Sequence, residues 1–135
     1  MDIFKSSTIP VLQEVIGFAQ ARHEVLVGNV ANVNTPGYRT RDLSVETFQE
    51  RLSEAIEALH ETGDTLSPGE ISAQRDTAMQ EVRDSTRDIL YHDGTDLGME
   101  QQVLQISKNQ YMHNMAISIM TTQFRMLQTA ISERV

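Results

Sequence analysis

From Ile9 onward, apolar residues recur at alternating steps of three and four: Ile9, Leu12, Ile16, Ala19, then His23, Leu26, Val30 and Val33. That is a heptad seam on one helix. Ser7 or Thr8 can cap its start, Pro10 sits in the first turn, and Pro36 with Gly37 ends it by disfavouring helix at Thr35. The span is about 25 residues, roughly 38 Å at 1.5 Å per residue.

The C-terminal part repeats the same count through Met99, Val103, Ile106, Gln110, His113, Ile117, Met120, Phe124, Leu127 and Ile131. A second, longer helix follows. A flanking stripe of Leu104, Tyr111, Met115, Ile119 and Met126 widens its apolar face beyond what one partner helix would cover, so it has more than one neighbour. The two end helices therefore pack together and against neighbouring copies or partners.

Between them, Val45 to His60 carries Phe48, Leu52, Ile56 and Leu59 on one side and acids on the other, which predicts a short amphipathic helix. Residues 62–76 read as a loop built on Gly63, Pro68 and Gly69, and residues 77–96 are too charged for their pattern to define an element. No internal repeat at a solenoid period is present.

Charge sharpens this division. The chain has a net charge of -8, and residues 42–100 hold fifteen acids and four bases, a net of -11. The ends are nearly neutral: +1 over residues 1–41 and +2 over 101–135. The polar positions of the end helices are Asn29, Asn32, Gln105, Asn109, Asn114, Thr121, Thr122 and Gln123, which can pair inside an interface without burying charge. Gly17 and Gly28 each cost the first helix about 1 kcal/mol relative to alanine, which close helix approach in an assembly offsets.

An acidic chain without a basic patch argues against nucleic acid and anionic membranes as partners. No stretch reaches the roughly 18 apolar residues of a membrane span, and the opening segment lacks the basic and apolar regions of a cleaved signal peptide. With no cysteine or tryptophan and 5% aromatics, the core rests on aliphatic and methionine side chains, and thiolate chemistry is excluded.

Candidate chemistry is sparse. No two of His23, His60, His92 and His113 share ligand spacing on a helix, so no metal site is expected. His23 and His113 fall on the two seams, where an antiparallel hairpin brings their levels close and makes a polar layer that fixes register. Asp93-Gly94-Thr95-Asp96 with Glu100 fails the calcium-loop spacing and reads as a turn into the second helix, capped by Thr95 or Asp96. Nothing qualifies as a phosphate-cradling loop, dinucleotide fingerprint, nucleophile elbow or zinc-protease helix, so no catalytic residue and no cofactor are expected.

The most specific run is Arg22-His23-Glu24-Val25-Leu26-Val27-Gly28-Asn29-Val30-Ala31-Asn32-Val33-Asn34-Thr35-Pro36-Gly37-Tyr38, followed by Arg39, Arg41 and Asp42. It resembles the N-terminal signature of bacterial flagellar rod proteins, with Asn29, Ala31, Asn32, Asn34, Thr35, Pro36, Gly37 and Tyr38 as the motif. Glu24-Val25-Leu26 before it and Arg41-Asp42-Leu43 after it look most similar to members of the proximal rod, a second rod protein of similar length being the nearest competitor. In the C-terminal helix Glu100, Asn109, Tyr111, Phe124, Leu127 and Ala130-Ile131 sit as the family's last helix would place them. The matched ends make up about half the chain; the turn Gly94-Thr95-Asp96-Leu97 departs from the family's Asn-Thr-Val-Asp.

This resemblance implies a mainly α fold whose long N- and C-terminal helices pair as an antiparallel coiled coil. Residues 1–41 and 96–135 would together form the rod core, and 42–95 an acidic, partly irregular middle segment. It implies a non-enzymatic structural subunit of the proximal rod of the basal body, assembling helically into drive shaft and export-channel wall. Export would use the flagellar type III apparatus without a cleaved signal. The partners implied are further copies, other rod proteins, the rod adaptor, and the membrane ring and export gate at the rod base. A helical cytoplasmic export chaperone or adaptor is the alternative, but has no reason to carry the asparagine and Thr-Pro-Gly-Tyr motif. A metal-binding or enzymatic bundle would need paired Glu-x-x-His motifs with inward carboxylates, and the chain carries a single such spacing, Glu57 to His60.

Overall fold

The structure is a computed structural model describing residues 8–63, 67–86, 90–92 and 98–132. The first helix, α1 (Ile9–Ala31), starts at Thr8, with Pro10 in the first turn, where a missing N–H leaves no bond unmade. It stops four residues short of Thr35. Asn32 is the reason: its backbone N–H bonds back to the carbonyls of Gly28 (3.2 Å) and Asn29 (3.3 Å), while its side-chain Nδ2 donates to Gly28 O at 2.8 Å. Val33, placed on the seam by spacing, therefore lies beyond the helix and is exposed. Pro36 and Gly37 belong to a separate turn, in which Tyr38 N–H bonds to Thr35 O at 3.2 Å and Gly37 takes φ +77. Proline followed by a residue with positive φ is the signature of a type II turn.

The chain then forms β1 (Arg41–Leu43), which pairs antiparallel with β2 (Leu90–His92) in the register Arg41 with His92, Asp42 with Tyr91 and Leu43 with Leu90. Next comes α2 (Val45–Gly63), where Thr47 N–H bonds to the Ser44 hydroxyl at 3.2 Å.

The middle segment is more helical than its pattern predicts. Residues read as a loop around Pro68 and Gly69 open a further helix, α3 (Pro68–Ser85). Pro68 is its first residue, and Ser67 with Glu70 forms a capping box in which the Glu70 carboxylate accepts from the Ser67 N–H (3.0 Å) and hydroxyl (2.6 Å). The last helix, α4 (Met99–Ser132), has 34 residues, about 51 Å of length. The cap expected at Thr95 or Asp96 lies outside the described residues.

The apolar core sits between α1 and the α2–α3 layer. It comprises Phe18, Leu43, Phe48, Leu52, Leu59, Met79 and Val82, with Val11, Val15, Val25 and Met112 packed around it. The rings of Phe18 and Phe48 stack with centroids 4.1 Å apart and planes 11° from parallel. Polar links fasten the layer's edges. Glu14, buried on α1, pairs with Arg83 of α3 and holds the guanidinium above its ordinary pKa. Arg51 Nη1 donates to Ser85 O at 3.1 Å. Thus α1 has two working sides, of which the heptad count revealed one.

Candidate assembly interface

The second side of α1 meets α4, and the hydrogen-bonded pairs step down α1 as they step up α4. Asn29 Nδ2 donates to Gln102 Oε1 at 3.2 Å, Arg22 Nη2 to Gln105 Oε1 at 3.1 Å, and Asn109 Nδ2 to Ala19 O at 2.7 Å. Farther along, Gln123 Nε2 donates to the Thr8 hydroxyl. The residues of α4 that are buried are Gln102, Asn109 and Ala116, spaced by seven, and half-buried Gln123 continues the row. The most deeply buried row of α4 is thus polar or small, with half-buried Ile106, His113, Met120 and Leu127 beside it.

Asn29 is the hub at one end of this pair. It is 1% exposed, and its Nδ2 also donates to Arg41 O at 2.6 Å while its Oδ1 accepts from Arg41 N–H at 3.0 Å and from the Tyr38 hydroxyl at 3.1 Å. The side-chain amide therefore serves the backbone of Arg41 as a neighbouring strand would, meeting both its donor and its acceptor. Two turns earlier on the helix, Arg22 grips Asp42 with Nε to Oδ1 and Nη2 to Oδ2, both at 2.7 Å. A forked pair of this geometry orients as well as attracts. Together Asn29 and Arg22 fold the Asn32–Thr40 connection back on α1 and hold β1 beside α4. Asn29, whose residue type can pair inside an interface, and Tyr38 are both engaged within this chain. Ala31, Asn34, Thr35, Pro36 and Gly37 remain exposed around them.

Most apolar side chains of α4 point elsewhere. Among the described residues, ten of the thirteen large exposed hydrophobic side chains lie on it: Met99, Val103, Leu104, Tyr111, Met115, Ile117, Ile119, Phe124, Met126 and Ile131. At 100° per residue they fall on two flanks, one through Val103, Ile117, Phe124 and Ile131, the other through Leu104, Tyr111, Met115, Ile119 and Met126. Glu100, Lys108 and Arg125 are the charges on the whole helix.

The sequence-read seam is thus divided. On α1, Leu26 is buried, and Leu12, Ile16, His23 and Val30 are half-buried. On α4, Ile106, His113, Met120 and Leu127 are half-buried, whereas Val103, Ile117, Phe124 and Ile131 are exposed. His23 and His113 do not form a shared layer. Because Arg22 meets Gln105, His113 lies eight residues, about 12 Å, farther along α4 than the level of His23. Each histidine has a solvent-shielded Nδ1 without a hydrogen-bond partner.

Sequence reasoning missed Gln102 and the Arg22–Asp42 and Glu14–Arg83 pairs. The row Gln102, Asn109, Ala116, Gln123 did carry a signal, its seven-residue spacing one position before the apolar row. Among the described residues no three His, Asp or Glu side chains gather as a metal site, and no helix is long and apolar enough to cross a membrane.

Two apolar flanks turned outward on one long helix make an interaction surface. Known proteins are similar to the chain in sequence, some of them along nearly its whole length. The chain is 24% identical over 138 aligned residues to the flagellar basal body rod protein FlgB of Bacillus subtilis, covering 98% of each chain. It is 26% identical over 120 residues to FlgB of Escherichia coli, covering 84% of each, and 44% identical over 43 residues to FlgB of Aquifex aeolicus, covering 32% of this chain and 33% of that one. No family model matches the chain, and no solved structure matches it.

Proposed function

We propose that this chain is a structural subunit of the flagellar basal body rod, set in its proximal part, where subunits assemble helically into the drive shaft and the wall of the export channel. The observation that carries the reading is the surface of α4: a polar row of Gln102, Asn109 and Gln123 against its own α1, and large apolar residues left outward along about 50 Å. Such a surface is costly to leave in water and is accounted for by further subunits. Similarity from end to end to proteins named flagellar basal body rod protein supplies the setting.

In this reading residues 1–41 and 96–135 form the rod core as an antiparallel coiled coil, which the descending order of α1–α4 hydrogen bonds supports. The acidic segment 42–95 braces the outer side of α1 through its apolar core. Partners are other copies, other rod proteins, the rod adaptor, and the membrane ring and export gate, reached in the periplasm after export without a cleaved signal. The role is mechanical, carrying torque and lining a channel, with no catalytic step. A cytoplasmic export chaperone is not favoured, since the matching relatives are named as rod proteins.

Mass spectrometry of washed, detergent-extracted basal bodies from the source bacterium tests this. Recovery in fixed proportion to known rod components is the expected result. A chain found in the cytoplasm and missing from basal bodies would overturn it.

A further inference from the structure

The heptad pattern and the structure disagree about α4 by one residue. Apolar spacing selects Val103, Gln110, Ile117 and Phe124 to face α1; the structure instead uses Gln102, Asn109, Ala116 and Gln123, with Ile106, His113, Met120 and Leu127 common to both. The two arrangements differ by a rotation of roughly 60° about the helix axis at 100° per residue. On apolar burial alone the rotated arrangement wins, because it would cover Val103, Ile117 and Phe124, which the observed one leaves 50%, 41% and 42% exposed.

Hydrogen bonds oppose that rotation. Gln102, Asn109 and Gln123 each bond to α1, at Asn29, the Ala19 carbonyl and Thr8. Turning α4 would carry all three away from these partners, and for buried Gln102 and Asn109 an unmet polar group costs about 1–3 kcal/mol each. The row is not present because it is the most stable filling. Asn109 Oδ1 and Gln123 Oε1 are shielded from solvent without a hydrogen-bond partner, a cost that leucine at either position would not carry. A polar residue at a seam position that selects one arrangement at a cost in stability is a known device of helix pairing.

We propose that Gln102, Asn109 and Gln123 are positioning residues that set the rotation of α4 on α1, keeping Val103 and Ile117 outward as surface for neighbouring subunits. What that surface meets rests on the rod reading above; the rotation itself does not.

The chain has no cysteine, so single thiols report exposure without interference. Adjacent residues Ala116 (4% exposed) and Ile117 (41%) exchange environments on rotation. Ala116→Cys and Ile117→Cys are placed separately in the unaltered chain and in a Gln102→Met, Asn109→Leu, Gln123→Leu variant, and alkylation rates are measured on the isolated protein. In the unaltered chain the thiol at 117 should react at least about tenfold faster than the one at 116, as local protection dictates. In the variant that order should reverse. Asn29 keeps its bonds to Arg41 there, so the motif end stays folded. An unchanged order, or both thiols turning fast, would overturn the proposal, the second because the row would then merely hold the helices together. Swimming is read alongside: a variant whose thiol order reverses should no longer support motility. Absence of the unaltered chain from basal bodies would remove the rod reading and leave the labelling result standing.

Discussion

The α2–α3 layer and α4 both pack on α1, the first through an apolar core and the second with a row of polar side chains at its centre. Against the layer, α1 contributes Phe18 and a ring of valines to a core of Phe48, Leu52, Met79 and Val82. Against α4 it contributes Asn29, Arg22, the Ala19 carbonyl and Thr8. The first contact satisfies its apolar surface within one chain. The second leaves the apolar surface of its long helix outside, and the contrast separates residues that make this subunit from residues that serve whatever surrounds it.

Four substitutions break or sharpen that contrast. The largest effect belongs to the layer: Phe48→Ala removes the stacked partner of Phe18 and should cost about 3–5 kcal/mol in urea denaturation of the isolated chain. Asn29→Ala strips both backbone groups of Arg41 and the Gln102 carbonyl of their partner, and a loss of about 2–3 kcal/mol is expected, read as faster amide exchange at Arg41 and in the first turns of α4. Ile117→Ser, on the outward flank, should change the isolated chain's stability by no more than about 0.5 kcal/mol yet abolish incorporation and swimming. A comparable loss of stability at Ile117 and Phe48 would erase the contrast.

The smallest effect is at the α3 cap. The Ser67 hydroxyl and N–H hold the exposed Glu70 carboxyl below its ordinary pKa. A depressed carboxyl stabilises the fold fully above its ordinary value and loses that contribution as pH falls through the lowered one. Amide exchange in the first turn of α3 should therefore quicken on acidification below the ordinary carboxylate range, and Glu70→Gln should remove this pH dependence without reaching α4.

Both end helices were legible because a heptad repeat fixes helix type whichever neighbour it faces. The phase of α4 was not, since apolar residues facing its own chain and those facing another look alike in one sequence. Pro36 marks a helix end in sequence, but α1 ends four residues before Thr35 because the Asn32 side chain caps the Gly28 carbonyl first. Ser67-Pro68-Gly69-Glu70 contains a capping box whose Pro and Gly were read as loop, although proline is at home in a helix's first turn. Asn29 stood out within its motif, but its partners, the Arg41 backbone and Gln102, came from pieces of chain that spacing does not bring together.

The central claim, that the outward flanks of α4 are the assembly surface, has natural reporters in Tyr111, Met115 and Met126, exposed by 72%, 52% and 60%, with buried Met79 as internal reference. Hydroxyl-radical oxidation of these residues should be measured in the isolated chain and in purified basal bodies. The account predicts strong oxidation of all three in the isolated chain, strong protection in basal bodies, and an unchanged Met79. Equal oxidation of Tyr111, Met115 and Met126 in both samples would contradict it.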